Sequence, residues 1–159
     1  MHIVLFEPEI PPNTGNIARL CAGTDTPLHL VEPLGFSLED RYLRRAGLDY
    51  WPHVRIRVWR RLEDYLAESG PEGGAGRRLV MTSARTAEAS VPVDRFPFAA
   101  EDALVFGPET RGLPPEVLQL SSHRVRIPIN DNIRSLNLST SAGIVLMAAL
   151  ARTGGLEAW

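Results

Sequence analysis

The stretch that decides the fold is residues 104–113, which read LVFGPETRGL. Apolar residues typical of a buried strand run directly into a loop of glycine, proline and polar residues. Similar junctions recur at residues 126–129 (RIPI) and 134–139 (RSLNLS). In α/β proteins, ligands bind in loops at the carboxyl ends of parallel strands. Three such junctions in the last third of the chain therefore predict one composite pocket.

The rest of the chain alternates between strand-like and helical patterns. Strand-like runs lie near residues 2–7, 28–32, 54–59, 78–83, 103–107 and 124–129. Between them, apolar residues recur with helical spacing, as in Ile17, Leu20 and Cys21. This alternation predicts one α/β domain over residues 1–159, built on a mostly parallel, doubly wound sheet.

Three other segments complete this interpretation. Residues 138–152 predict a long helix rich in small residues, with Ile144, Met147, Ala148 and Ala151 on one face. Residues 69–76, rich in glycine, predict a flexible loop. Residues 86–100 contain two prolines and predict a connector without regular structure.

Composition limits the class of protein. A length of 159 residues fits one domain, and an apolar share of 44% fits a soluble globular protein. No apolar run approaches the roughly 20 residues that span a bilayer, and because residues 2–6 already have a strand-like pattern we expect no signal peptide. Cys21 is the single cysteine, which excludes an intrachain disulfide. We therefore expect a cytoplasmic protein with no membrane partner.

The basic residues are unusual in type and position. All 17 are arginine, and seven of them lie between Arg41 and Arg61 against one acid, Asp49. Arginine binds phosphate in a bidentate manner. The cluster indicates either a nucleic-acid footprint or an ordinary solvated face of a protein from a GC-rich genome, and the sequence alone favours the second.

Several chemistries are excluded by residue type. The four histidines lack metal-ligand spacing, and one cysteine cannot form a zinc cage. Without lysine there is no Walker motif, and no GxSxG nucleophile motif is present. We expect any catalysis to proceed without a metal and without a covalent intermediate.

The first candidate loop is residues 11–19 (PPNTGNIAR), which open the first helix directly after the first strand. A helix N-terminus is a natural anion site. Asn13, Asn16 and Arg19 recur every third residue, which predicts neighbouring positions away from the core stripe. The alternative is a capped helix with an exposed arginine, and spacing alone favours it.

The other two candidate loops lie in the last third. Gly107 permits close approach of another backbone or a planar ligand, and Glu109 is either a ligand for a ribose or a cation, or a solvated turn residue. Residues 130–141 carry more hydrogen-bonding groups around Ser135 and Asn137 than a helix cap needs. Leu136 and Leu138 predict partial burial there, so we expect a polar ligand.

Together these blocks resemble the SPOUT superfamily of RNA methyltransferases, in particular the group that methylates ribose 2′-hydroxyls. The resemblance covers nearly the whole chain. It is carried by residues 7–16 (EPEIPPNTGN), 43–50 (LRRAGLDY), 106–114 (FGPETRGLP) and 134–139 (RSLNLS). Within that group the chain is most similar to small bacterial enzymes acting on the wobble cytidine or modified uridine of leucine tRNAs.

The resemblance implies a fold, a cofactor and partners. A Rossmann-like part at about residues 1–75 would precede a knotted cofactor-binding part at about residues 76–159. The C-terminal segment would form a deep trefoil knot, an exception to the usual rule against knots. The cofactor would be S-adenosylmethionine. The active unit would be a homodimer that shares its tRNA site between subunits.

The resemblance also assigns residues by position. The cofactor-binding positions are Met81, Gly107, Ile127 and Ser135. The catalytic positions are Arg19, Asn13, Glu109, Ser135 and Asn137. The RNA-binding positions are Arg134, Arg44 and Arg45. Because arginine keeps its proton near neutral pH, we expect Arg19 to fix the target phosphate and polarise the 2′-oxygen.

Two alternatives stay open at this point. One is a methyltransferase for another tRNA position or for ribosomal RNA. The other is a non-catalytic RNA- or nucleotide-binding module with a flavodoxin-like sheet, which would not need Gly107, Ile127 and Ser135 to converge.

Overall fold

A parallel sheet forms the centre of the molecule in the computed structural model, which describes residues 1–39, 50–84 and 89–157. Within these ranges the strands are β1 (His2–Phe6), β2 (Leu28–Val31), β3 (Ile56–Trp59), β4 (Leu79–Thr82), β5 (Val91–Pro92), β6 (Ala103–Phe106) and β7 (Arg124–Arg126). Their order is β3-β2-β1-β6-β4-β7-β5, and every neighbouring pair is parallel. The predicted α/β class with a parallel sheet is confirmed.

One strand lies where the sequence predicted only a connector. Val91 and Pro92 pair with Val125 and Arg126 of β7. A two-residue strand is too short to show alternation in the sequence. Proline is tolerated there because β5 is at the edge of the sheet and needs no second ladder.

Helices cover both faces of the sheet. They are α1 (Pro11–Gly23), α2 (Leu62–Ser69), α3 (Pro115–Leu118) and α4 (Leu138–Arg152), with a 3₁₀ turn at Trp51–His53. Successive residues of β1 enter opposite cores, since Ile3 packs with α1 and α4 while Val4 packs with Tyr65 and Val117. Burial on both faces explains why the strands read as continuous apolar runs.

Helix α4 is apolar on more than its buried side. Its packed face carries Ala142, Val145, Leu146, Ala149 and Leu150. The helix predicted over residues 138–152 is confirmed, and Ile144 and Met147 of the face named from the sequence are 38% and 42% exposed. Helix α1 lies beside α4 on the same face of the sheet.

The glycine-rich loop at residues 69–76 is a series of hydrogen-bonded turns, not the loose loop that its composition predicted. Gly73 N–H donates to the carbonyl of Gly70 (3.0 Å), and Gly76 N–H donates to the carbonyl of Gly73 (3.0 Å). A Cβ on Gly70 would lie 2.7 Å from the carbonyl oxygen of Leu66. Glycine is therefore needed here for close packing on α2.

No helix in the described ranges is long and apolar enough to cross a membrane.

A buried histidine, His29, and a half-buried one, His2, link the first two strands. Trp59 Nε1 donates to His29 Nδ1 (2.9 Å), so His29 carries its proton on Nε2, which lies 2.9 Å from His2 Nδ1 and donates to it. Burial lowers the pKa of His29 to about 4, and burial together with the nearby His29 lowers the pKa of His2 to about 3. Both rings are therefore neutral in the folded protein at neutral pH.

We expect these histidines to make stability depend on pH. The unfolded chain takes up protons below the ordinary value of 6.5 while the folded chain does not, so the free energy of unfolding falls as pH falls. Between about pH 7 and pH 5 the loss is at most about 2 kcal/mol per histidine. Urea denaturation across this range measures it.

One substitution sharpens that measurement. His2→Gln removes one of the two titrating rings and should reduce the dependence of the unfolding free energy on pH. If the unfolding free energy depended on pH equally in the unchanged chain and in His2→Gln, the pH dependence could not be assigned to His2.

Candidate functional site

A cavity of about 720 Å³ lies at the carboxyl ends of β4, β6 and β7. Most of its lining comes from residues 82–84 at the end of β4, 106–109 and 111–115 at the end of β6 and beyond it, 127 and 129 after β7, and 134–138 before α4, with Ile10 and Asn13 from the start of α1. The volume is within the range of small-molecule sites, about 300–1,000 Å³. The composite pocket predicted from the three sequence junctions is confirmed.

The cavity combines apolar walls with a few polar groups. Leu113, Leu118 and Val145 provide apolar surface, while Asn13 and Ser135 provide polar side chains. The strand ends also carry main-chain groups that no longer pair within the sheet. Such a lining suits a ligand with a flat apolar ring and polar substituents.

The loop after β6 folds back on its own first residue. A Cβ on Gly107 would lie 2.2 Å from Leu113 N and 2.3 Å from Gly112 C, so only glycine fits. Gly112 adopts a positive φ of 70° and its N–H donates to the carbonyl of Pro108 (2.9 Å). The close approach predicted at Gly107 is thus made by the backbone of the same loop.

Glu109 joins this loop to the start of α1. Its Oε2 accepts from Glu9 N–H (2.8 Å), and its Oε1 accepts from Ile10 N–H (3.1 Å) and Asn13 Nδ2 (3.2 Å). Pro11 and Pro12 have no N–H to offer. The anion at this helix N-terminus is therefore the chain's own carboxylate. An external anion at this helix start was the alternative that the spacing disfavoured, and Glu109 is not the solvated turn residue that the sequence left open.

Two asparagines extend the network to α4. Asn13 is 6% exposed, and its Oδ1 accepts from Asn137 Nδ2 (2.9 Å). Asn137 Oδ1 caps α4 by accepting from Ser139 N–H (2.9 Å) and Thr140 N–H (3.3 Å). Three candidate residues that lie far apart in sequence, Glu109, Asn13 and Asn137, thus form one chain of hydrogen bonds.

A second contact joins the same loops nearer the surface. The Glu9 carboxylate accepts from Thr110 N–H (3.0 Å) and from the Thr110 hydroxyl (2.9 Å). The carbonyl of Thr110 accepts from Arg134 Nη2 (2.9 Å). Arg134 is exposed and lines the cavity.

The remaining candidate residues are placed differently. Gly107, Ile127 and Ser135 all line the cavity, whereas Met81 is buried in the core one residue before the lining segment that starts at Thr82. Arg19 is exposed on α1 and does not line the cavity.

Two RNA-binding candidates, Arg44 and Arg45, lie outside the described residues. Three arginines of the same cluster that are described have acidic partners. Arg55 pairs with Asp25 (3.0 Å), Arg57 with Glu68, and Arg61 with Asp64 (3.4 Å). These pairs are exposed, and such pairs contribute about 0–1 kcal/mol.

Sequence reasoning missed part of the lining. Residues 82–84 lie at the end of β4, so the strand-end rule used for β6 and β7 would have found them. The roles of Glu9 and Thr110 left no such signal, because a contact between residues 101 positions apart is visible only in the folded chain.

We expect Gly107→Ala to destabilise the protein strongly. The added methyl group meets main-chain atoms that cannot move without unfolding the loop, which costs on the order of 1–3 kcal/mol or more. Gly143→Ala is the matched control, because nothing lies within 4 Å of a Cβ on that helical glycine. Alanine there adds about 0.5–1 kcal/mol of stability. A lower urea midpoint for Gly107→Ala and a higher one for Gly143→Ala support the packing argument. Equal shifts of the midpoint in the two variants contradict it.

Comparison with known proteins agrees with the resemblance found in the sequence motifs. The relative in Methylovorus glucosotrophus (strain SIP3-4), described as a tRNA (cytidine(34)-2'-O)-methyltransferase, is 52% identical over 149 residues and covers 92% of each chain. A solved structure concerned with 2-OH methylation of C/U34 on tRNA is 42% identical, has a TM-score of 0.85, and covers 95% of this chain and 94% of that one.

A third similarity concerns a cofactor complex. The AdoMet-bound rRNA methyltransferase from Sinorhizobium meliloti is 25% identical with a TM-score of 0.78, covering 94% of this chain and 55% of that one. The SpoU rRNA Methylase family matches residues 1–147. The resemblance inferred from the motifs is therefore confirmed, and the chain belongs to the SpoU rRNA methylase family.

Proposed function

We propose that the chain transfers a methyl group from S-adenosylmethionine to the ribose 2′-hydroxyl of the wobble nucleotide of tRNA, a cytidine or modified uridine in leucine tRNAs. The observation that carries this is the convergence of Gly107, Ile127 and Ser135 on one cavity. A non-catalytic RNA-binding module would not need that convergence. The relatives described as acting on nucleotide 34 cover nearly the full chain and support the choice of substrate.

The cavity fits the cofactor by its chemistry. Main-chain groups at Gly107 and Ile127 and the residues around Ser135 would hold the adenine and ribose, and the apolar walls would cover the ring. When bound, the cofactor supplies an electrophilic methyl group on a sulfonium sulfur.

The chain's own contribution is mainly positioning. The network from Glu109 through Asn13 to Asn137 fixes the wall of the cavity, and Ser135 at its exposed side offers a hydroxyl to the substrate ribose. Holding the 2′-oxygen in line for transfer could supply roughly 7–11 kcal/mol of the barrier reduction at best. No covalent intermediate with the chain is needed, and the proton of the 2′-hydroxyl leaves to water as its oxygen takes the methyl group from sulfur.

Arg19 acts on the cavity of a second copy in this proposal. It lies outside the cavity of its own chain, on a helix next to α4, whose outward face exposes Ile144 and Met147. A homodimer formed across α1 and α4 covers these apolar side chains. The tRNA site is then shared, with Arg19 from one copy fixing the target phosphate and polarising the 2′-oxygen.

The knot and the division near residue 75 are part of the same proposal. In the sheet, β4 lies between β6 and β7. Helix α4 follows β7 in the chain, yet it packs on α1 and β6. Residues 127–137 therefore return past the loops after β4 and β6, the path that a C-terminal trefoil knot requires. We place the reaction in the cytoplasm, where tRNA is modified.

The direct test uses S-adenosylmethionine carrying a labelled methyl group and bulk tRNA from a strain that lacks this gene. Nuclease digestion and mass spectrometry then locate the label. A 2′-O-methyl group at the wobble nucleotide of leucine tRNAs supports the proposal. Label at another position keeps the methyltransferase and changes the substrate. Absence of heat on titration with S-adenosylhomocysteine contradicts the cofactor assignment.

We expect Arg19→Lys to retain some turnover. A second cation partly replaces the first, so kcat falls on the order of a hundredfold, and further for Arg19→Ala. Arg95→Lys is the control, because Arg95 is exposed and paired with Asp94 (3.6 Å). Complete loss of turnover in Arg19→Lys with normal cofactor and tRNA binding contradicts a simple electrostatic role.

The double substitution Ile144→Asp and Met147→Asp tests the dimer. Two carboxylates on the outward face of α4 oppose burial there, so sedimentation should show a monomer that still binds S-adenosylhomocysteine but methylates poorly. Leu120→Asp is the matched control, since Leu120 is 46% exposed outside that face. A monomeric, active unsubstituted chain contradicts the shared site.

A further inference from the structure

We propose that Glu9 is a positioning residue for tRNA, which acts through Thr110 to hold the guanidinium of Arg134 at the mouth of the cavity. This rests on the proposed function and names a determinant of substrate binding at the same site. Glu9 itself does not touch the reacting atoms. Its role is to fix the main-chain carbonyl of Thr110, which accepts a hydrogen bond from Arg134.

The polar groups of Thr110 are fully used in this arrangement. Glu9 accepts from its N–H (3.0 Å) and from its hydroxyl (2.9 Å), while its carbonyl accepts from Arg134 Nη2 (2.9 Å). Hydrogen bonds to a carboxylate are stronger than those between neutral groups. Thr110 is therefore held from one side by Glu9 and presents its carbonyl to Arg134 on the other.

Glu9 is itself fixed by the neighbouring contact. Its N–H donates to Glu109 Oε2 (2.8 Å), so Glu9 and Glu109 each bind the other loop. The two loops follow β1 and β6, which pair directly, with Leu5 opposite Phe106. The anchor for Arg134 is therefore attached to the centre of the sheet, although Arg134 lies in an exposed segment.

Arg111 and Arg134 both line the cavity, but they differ in whether a carboxylate neutralises their charge. Arg111 pairs with the carboxylate of Glu7. Within the described residues Arg134 has no carboxylate partner, and its contact is to a neutral carbonyl. Its positive charge is thus left for a ligand, and its remaining N–H donors suit a phosphate of the tRNA backbone.

The proposal makes a prediction opposite to that of simple electrostatics. Glu9 is an anion close to the site of a polyanion, so removing its charge should by itself tighten tRNA binding. If Glu9 positions Arg134, then Glu9→Ala should weaken binding instead. We expect a rise in KM for tRNA of roughly three- to tenfold, with a smaller effect on kcat.

The experiment compares methylation kinetics, tRNA binding against salt concentration, and calorimetry with S-adenosylhomocysteine. Loss of one ordered phosphate contact should reduce the salt slope of tRNA binding by about one in Glu9→Ala. Affinity for S-adenosylhomocysteine should be unchanged. Glu9→Gln should be intermediate, because its amide oxygen can accept one of the two hydrogen bonds from Thr110.

Three further variants make the test specific. Thr110→Val removes only the hydroxyl and should have a smaller effect than Glu9→Ala. Glu116→Ala removes an exposed acid in the first turn of α3 and should not raise KM. In an Arg134→Ala background, Glu9→Ala should add little, because both changes remove the same contact.

The outcomes separate this inference from the proposed function. If the unchanged chain neither binds nor methylates tRNA, both fail. If the unchanged chain is active and Glu9→Ala binds tRNA equally well or more tightly, only the inference fails. It also fails if Glu9→Ala loses affinity for S-adenosylhomocysteine in parallel with tRNA, since that shows a general structural role.

Discussion

The carboxylate of Glu109 bound to the start of α1 is the contact on which the site depends. It accepts from two main-chain N–H groups and from Asn13, and each hydrogen bond to a charged acceptor contributes about 1.5–3 kcal/mol. Without it, the loop after β6 would be held to the segment before α1 by the contacts of Thr110 with Glu9 and of Arg111 with Glu7. Asn13 would also lose the partner that orients its amide toward Asn137.

This contact explains why the cavity wall is rigid although loops form it. Each loop is held by a neighbour from another part of the chain, and Asn137 both caps α4 and binds Asn13. A site that transfers a methyl group to a weakly acidic hydroxyl gains most from fixed geometry. The side-chain amides of Asn13 and Asn137 bind each other, the Glu109 carboxylate and the start of α4, which favours positioning over proton transfer as their role.

The predictable part of this protein is the part encoded locally. Continuous apolar runs predicted six of the described strands, and the strand-end rule predicted a pocket at Gly107 and Ser135. The pattern failed for Val91–Pro92, because a run of two residues is too short to show alternation, whereas the helix over 138–152 was predicted with its observed bounds. The partner of Glu109 could not be predicted, since proximity of residues 99 positions apart depends on strand order.

A polyanionic substrate poses a problem for a site organised by carboxylates. Glu109 lines the cavity and Glu9 binds the same loop through Thr110, and their charge alone would repel phosphate. Each is surrounded by N–H or O–H donors from the chain, which lowers the cost of keeping it there. Arg134 has no carboxylate partner within the described residues, so the same cluster that fixes the loops leaves one cation for the substrate. In our proposal the acids set the geometry, and the arginine they hold in place contributes to affinity for the tRNA.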